Sequence, residues 1–492
     1  MDQHSGPLKN INVRRTEVRL SPDQTRVVLR PLGFSSDEEH VKIIRRVLAL
    51  SEKDVRIVLD QTLAEFSSRH RWLTERLLKR FHYLEHFLPP GHDLSEARKL
   101  LIGSYFMFEY SPESAALFNP SILPHPDQSK LPKGSLRFLL SLRSTGEGHI
   151  SSISFRSGVI NAHNGIAVDP ASRFLAEPVL VENSTYHKDL FRRKVAEMGL
   201  AGEWTDRVLG RLADFFTISE LKNELKEVLR ETAPGQRIGD NNAAKGLWLL
   251  AQSNYDIRFP PDQDLSERII FPVTPIQSNG LEDVRLTAHR DDDGKTTYYA
   301  TYTAYDGRNV LPQLFQTEDF RHFKFATLNG PGVQNKGMAL FPRKIDGRFA
   351  MLSRQDGENI FLMYSDNVHF WNEASLLLSP AYPWEFIKTG NCGCPIETEE
   401  GWLILSHGVG PMRKYCLGAF LLDRKDPSKV IGRLSEPLMR PEGIEREGYV
   451  PNVLYTCGAL VHGEQLVLPY GMSDRVTGFA FVSLGEILAV MS

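Results

Sequence analysis

The chain has 492 residues, with 58 Lys and Arg against 61 Asp and Glu, a net charge of −3 and 41% hydrophobic residues. That length predicts two to four domains or one large repeat architecture, with ample chain to bury a core. The near-neutral balance excludes a protein whose main affinity is for nucleic acid or an anionic membrane, either of which would leave a basic surplus.

No stretch approaches the ~18 consecutive apolar residues of a membrane span, and the opening MDQHSGPLKNINVRR lacks the apolar core of a signal peptide, so a cytoplasmic location is expected. The cysteines Cys392, Cys394, Cys416 and Cys457 are too few and too unevenly spaced for a disulfide framework. Without a CxxC or a His–Cys cluster to complete a tetrahedral zinc site, they read as buried free thiols, and no metal is expected.

After an N-terminal extension over 1–35, the period is helical through a domain spanning 36–115. Ser36 with Glu39 forms a capping box before an apolar face of Val41, Ile44 and Leu48, and Ser51 with Asp54 opens a second helix presenting Val55, Leu59, Leu63 and Phe66. A third helix presents Leu73, Leu77, Phe81, Leu84 and Leu88 before Pro89-Pro90 stops it. Three or more such helices predict a small helical domain, and the proline stop disfavours a coiled coil.

From about Asn119 the period becomes two, in runs such as Leu136-Arg-Phe-Leu-Leu-Ser-Leu and Thr297-Tyr-Tyr-Ala-Thr-Tyr-Thr. A helical stretch over about 186–250, its charged run ending at Pro234-Gly235, reads as an insertion, with strand patterning resuming at Ile269. The segment from Tyr305-Asp306-Gly307 to Asp319-Phe-Arg-His322-Phe323 recurs from Gln355-Asp356-Gly357 to Asp366-Asn-Val-His369-Phe370, a period of ~50 residues, the size of a four-stranded propeller blade. Residues 116–492 less the insertion then hold about six blades, or five if loops are long, and a β-sandwich is the structural rival. Asp319, His322, Asp366 and His369 belong to the repeat, which assigns them to turns and blade packing.

In a propeller, polar residues at the ends of the innermost strands converge on a central channel. The candidates are Arg143, Arg354, His407 and Asp474, each following an apolar run, with Glu282-Asp283-Val-Arg285 and Asn335-Lys336 in tight polar clusters. Each has a bland reading: strand-end arginines in solvent, a structural histidine, a turn with an ion pair. Several cations around one pocket want an anion, and Arg offers a fork that grips phosphate or carboxylate.

Six ordered motifs carry a family resemblance: Gly280-Leu-Glu282-Asp283-Val-Arg285; Asn335-Lys336 with Leu340-Phe341-Pro342; Gly401-Trp402-Leu-Ile-Leu-Ser-His407-Gly408; Gly418-Ala-Phe-Leu-Leu-Asp423 with Asp426-Pro427; Val450-Pro451-Asn452-Val453 with Cys457-Gly458; and Tyr470-Gly-Met-Ser-Asp474. Together they resemble glycoside hydrolase family 130, largely β-mannoside phosphorylases on a five-bladed propeller. The resemblance implies a mainly β fold, a five-bladed β-propeller with an N-terminal α-helical domain and a helical insertion. It makes Asp283 the general acid of an inverting reaction. Arg143, Lys336, Arg354 and His407 become phosphate-binding residues, and Asn119, Glu282, Arg285 and Asp474 substrate-binding ones.

The expected reaction is phosphorolysis of terminal β-mannosides or manno-oligosaccharides, with inorganic phosphate or mannose 1-phosphate as co-substrate and no other cofactor. The acid is expected to have a raised pKa. Val284 stands where proline is usual, and Gly393-Cys394-Pro395 and Pro469-Tyr470 also depart from the pattern, which bears on the acceptor. A β-mannosidase, a mannosyltransferase running the synthetic direction and a non-catalytic carbohydrate-binding propeller are the alternatives. No nucleic-acid or membrane partner is expected, and a homo-oligomer is a use foreseen for the N-terminal helices.

Overall fold

In a computed structural model, the structure describes residues 11–91, 93–181, 185–231 and 237–491. The chain is mainly β, with two helical additions. The Pro234-Gly235 stop lies outside the described residues.

Five groups of antiparallel strands follow one another along the chain. The first comprises Ala116–Pro124, Leu136–Thr145, Ser151–Ile160 and Ile166–Val168. The second comprises Gly280–Arg290, Thr296–Tyr305, Val310–Thr317 and His322–Thr327, and the third Lys336–Leu340, Phe349–Arg354, Ile360–Ser365 and Ser375–Leu378. The fourth is Lys388–Asn391 with Ile396–Glu397, then Trp402–Gly410, Lys414–Leu422 and Val430–Arg433.

In the fifth group, Leu454–Tyr455 and Leu460–His462 flank Gln465–Met472, which pairs with Val476–Ser483. Its outer strand is Val13–Leu20, from the segment read as an N-terminal extension, with Val13 opposite Val482. The repeat found in the sequence marks the same hairpin in the second and third groups. Asp306 Oδ1 accepts from the backbone N–H of Arg308 and Asn309, and Asp356 Oδ1 from those of Glu358 and Asn359, at 2.6–2.9 Å. Such Asx bonds fix a turn locally, so the motif recurs with the hairpin.

Five apolar clusters lie between successive groups. Phe155 and Leu286 sit between the first and second, Leu314 and Met351 between the second and third, and Leu352 and Phe420 between the third and fourth. Leu405 and Leu468 join the fourth to the fifth, and Leu140 and Phe481 bring the fifth back against the first. The alternation read in the sequence supplies both faces of each sheet to these seams.

The helical domain comprises α1 (Asp37–Leu48), α2 (Glu52–Phe66), α3 (Leu73–Leu84) and α4 (Glu96–Tyr105). Ser36 and Ser51 cap the first two as expected, accepting from the backbone N–H of Glu39 and Asp54. Helix α4 buries Leu101 and Ile102 against Ile44, Val55 and Phe81. The domain is tied to the sheets where Val28–Pro31 pairs with Met107–Tyr110, and by Glu113, fully buried between the guanidinium groups of Arg26 and Arg156.

The insertion, α5 (Lys188–Glu197), α6 (Glu203–Gly210), α7 (Ile218–Glu231) and α8 (Arg237–Gln252), encloses its own core around Val208, Leu221 and Leu247. Strand structure resumes earlier than Ile269: Tyr255–Arg258 pairs with the outer strand of the second group. Its alternation of Tyr255 and Ile257 spans too few residues to stand out beside the preceding helix. No helix among the described residues is long and apolar enough to cross a membrane.

Candidate active site

The first strands of the first three groups carry much of the site, because the pairing of each is interrupted. Register shifts fall between Phe118 and Ser121, between Glu282 and Arg285, and between Lys336 and Ala339. At these bulges Asn119 and Asp283 adopt φ of +47° and +53°, and Gly337 +89°. A bulge with a left-handed residue turns a side chain out of the alternation and aims it past the sheet edge. Left-handed geometry in non-glycine residues costs energy and concentrates at functional sites. Asp474, at φ +52°, belongs to the same set.

These distortions bring Asn119, Arg143, Glu282, Asp283 and Lys336 together. Asn119 Nδ2 donates to Asp283 Oδ1 at 2.7 Å, and Arg143 Nη1 to the same oxygen at 3.3 Å. Arg143 Nη2 donates to Glu282 Oε1 at 2.7 Å and its Nε to Ser151 Oγ at 2.9 Å, while Lys336 Nζ lies 3.6 Å from Glu282 Oε2. Every nitrogen of Arg143 is thus engaged, two of them by carboxylates. The expected phosphate-binding residue Arg143 thus meets Glu282 and Asp283 in this arrangement.

Arg285, 1% exposed, lies beneath Asp283. It donates to the carbonyls of Asp283 and Cys392 and to the hydroxyl of Tyr455 at 2.7–2.9 Å. It therefore supports the Asp283 bulge from below and does not line the pocket. Sequence reasoning missed Ser151 and Tyr455 as partners, since a lone hydroxyl carries no spacing signal.

Arg354 stands apart. It lies directly opposite Lys336, is 7% exposed, and among the described residues has no carboxylate partner, with its Nε unbonded. Its Nη1 is 3.0 Å from His407 Nε2. A guanidinium can only donate, so Nε2 is the acceptor and the ring proton sits on Nδ1, 3.8 Å from Cys392 Sγ. Burial, then the charges of Arg354, Arg285 and Lys388, push the His407 pKa well below its ordinary value. A neutral, fully buried His407 thus orients Arg354 from behind.

Glycine is required on both flanks of this arginine. A Cβ at Gly337 would lie 2.4 Å from Arg354 Nε, and one at Gly390 would lie 2.3 Å from Arg354 Cδ. The result is a buried cation with no carboxylate partner among the described residues, on the strand position opposite Lys336, and such a charge is unfavourable until an anion joins it.

The carboxyl groups diverge. Burial would raise Asp283, but Arg143, Arg285 and Lys336 together with the Asn119 amide outweigh it and hold its pKa below the ordinary carboxylate value. The expectation of a raised pKa at the acid is therefore corrected for the unliganded site, because cations surround it. The raised group is Asp474, pushed up to about 6 by burial, opposed by Arg143 and Arg413 and reinforced by Asp283 and Glu282.

A carboxyl with a higher pKa folded than unfolded binds more protons when folded, so stability falls as pH rises from about 4 through about 6. Replacing Asp474 by Asn is expected to stabilise the protein at pH 7.5 by up to about 2–3 kcal/mol and to change little at pH 4. Thermal unfolding at the two pH values measures this; equal shifts at both would refute it.

The described cysteines are all free, with Cys392, Cys416 and Cys457 buried and Cys394 half-buried.

The family model for glycoside hydrolase family 130, described as beta-1,4-mannooligosaccharide phosphorylase, matches residues 249–492. A 1,2-beta-oligomannan phosphorylase of Thermoanaerobacter sp. (strain X514) is 37% identical over 231 residues, covering 45% of this chain and 75% of that protein. The chain belongs to glycoside hydrolase family 130.

A second family 130 relative, the beta-1,2-mannobiose phosphorylase of Listeria innocua, is 31% identical over 227 residues, 44% of this chain and 62% of that one. A solved structure of beta-1,2-mannobiose phosphorylase from Listeria innocua with beta-1,2-mannobiose aligns over 77% of this chain and 92% of that chain, with a TM-score of 0.46 and 22% identity. The family 130 match leaves the helical domain and nearly all of the insertion outside it.

Proposed function

We propose that this family 130 enzyme is an inverting β-mannoside phosphorylase, releasing α-mannose 1-phosphate and a shortened acceptor. The observation that carries the reading is Arg354: a buried guanidinium without a carboxylate partner among the described residues, opposite Lys336 in strand register and oriented by neutral His407. A water nucleophile has no use for such a seat, whereas a phosphate dianion supplies the missing charge. The matched relatives are themselves named mannoside phosphorylases. The five strand groups, packed in cyclic order, support a five-bladed propeller with the site at its channel. The free cysteines accord with a cytoplasmic location.

In the proposed reaction a phosphate oxygen bonds to the anomeric carbon as the glycosidic C–O bond breaks on the opposite face. Asp283 supplies the proton that the leaving oxygen takes up. Phosphate offsets the charge of Lys336 and Arg354 and competes with Asp283 for Arg143, so its arrival weakens the cations that hold Asp283 ionised and raises its proton affinity. Asn119 and Asp474 fix the mannosyl unit, and inorganic phosphate is the co-substrate, with no metal or organic cofactor in the scheme. Incubation of β-linked mannobioses with and without phosphate tests this. Mannose 1-phosphate formed only with phosphate is the expected result, and free mannose released equally fast without phosphate would establish a hydrolase instead.

A further inference from the structure

Close to Asp474, two segments present apolar side chains to solvent. Met412 is 93% and Tyr449 60% exposed. Met412 and Arg413 are both left-handed, at φ +58° and +56°, in a turn where no glycine relieves the strain. Arg413 is one of the cations acting on Asp474. The two segments are neighbours, because Tyr415, two residues beyond Arg413, bridges to Val453.

Tyr449 is held against the site from two directions. On one side, Val450 N–H donates to the Ser473 carbonyl at 3.0 Å, and a Cβ on Gly448 would lie 2.6 Å from the same oxygen, so the 448–450 backbone lies against the residue preceding Asp474. On the other, the Tyr449 hydroxyl is 3.1 Å from His149 Nδ1, with ring centroids 5.2 Å apart. His149 lies in the turn that follows the Arg143 strand and is itself left-handed at φ +58°. That turn is braced from the strand Met107–Tyr110, Tyr110 donating its hydroxyl to the Glu147 carbonyl at 2.9 Å.

From this arrangement we infer that Tyr449 is the stacking platform for the acceptor sugar, with Met412 on the adjoining segment and His149 positioning the Tyr449 ring. The inference rests on the phosphorylase reading and names the leaving-group side of the same site. An aromatic face with a polar tip and an exposed setting, on backbone held against the residue preceding the carboxyl proposed to hold the mannosyl unit, suits the apolar face of a pyranose. The occupant is the sugar released in phosphorolysis, or accepted in synthesis.

The test runs the enzyme in the synthetic direction with α-mannose 1-phosphate and mannose or mannobiose as acceptor, following phosphate release. Tyr449→Ala should raise the acceptor KM on the order of tenfold or more, leaving the KM for α-mannose 1-phosphate within about twofold. Tyr449→Phe keeps the ring and loses the hydroxyl contact to His149, so it should fall between wild type and Tyr449→Ala. An acceptor KM in Tyr449→Ala within about twofold of wild type would overturn the inference. If the wild-type enzyme itself releases no phosphate with any acceptor, the phosphorylase reading has failed instead.

Discussion

Asp283→Asn is expected to lower kcat for phosphorolysis by about 10³-fold or more while the protein stays folded. The substitution is nearly isosteric, and the amide oxygen can still accept from the Asn119 Nδ2 that now donates to Asp283 at 2.7 Å. What is lost is the proton for the leaving oxygen, and with it most of the benefit of the bulge that aims this side chain. The loss should depend on the leaving group. An activated aryl mannoside, whose phenolate departs without a proton, should recover much of the rate, whereas a mannobiose should not. Circular dichroism and thermal unfolding check the fold, and steady-state rates on the two substrate types check the role. Full activity on mannobiose would remove Asp283 from the chemistry.

Arg354→Met should separate function from stability in the opposite sense to most buried substitutions. Arg354 is 7% exposed and lacks a carboxylate partner among the described residues, so the folded protein carries the cost of an uncompensated charge. Methionine keeps much of the length that fits between Gly337 and Gly390 and removes the charge. The melting temperature is therefore expected to hold or rise. The KM for phosphate should increase by roughly 100-fold, the worth of charge-assisted hydrogen bonds of about 2–3 kcal/mol. The KM for the mannoside at saturating phosphate should change little. An unchanged phosphate KM would move the anion seat elsewhere. A large fall in stability would show that Arg354 serves the fold.

The two residues differ in how far the sequence disclosed them. Arg354 stands where an apolar run ends and Asp283 lies in a tight polar cluster, and the Asp-Gly turns at Asp306 and Asp356 gave the strand period that placed them in one architecture. Local patterns of this kind are legible because one backbone turn or one pleat demands them. The partners were not legible. Nothing in the spacing says that Glu282, adjacent to the acid, would take Arg143 and Lys336, or that Arg285 would turn downward to Tyr455, because those contacts join strands far apart in sequence.

The sign of the Asp283 shift was hidden for the same reason. A general acid is expected to have a raised pKa, and the three cations that reverse the effect at Asp283 come from three different strands. Helix α4 lies beyond the Pro89-Pro90 stop, where the named apolar faces ended. The strand Val13–Leu20 was missed because its sequence, VRRTEVRL, alternates with arginines and a glutamate and resembles a solvated segment until an edge is available to receive it.

That strand also bears on how the molecule is made. Arg14 pairs opposite Phe481 and Leu20 opposite Thr477, so a segment emerging early from the ribosome waits for almost the whole chain before it finds its partner. Pairing at such sequence separation is slow, and the outer strand of the fifth group stays open to other chains until it is complete. Cutting the protein before the first sheet would therefore remove more than the helices. It would expose the edge of Val476–Ser483, and the expected product is an aggregating protein rather than a smaller enzyme. Any dissection of the helical domain has to excise it internally and leave residues 13–20 joined to the sheets.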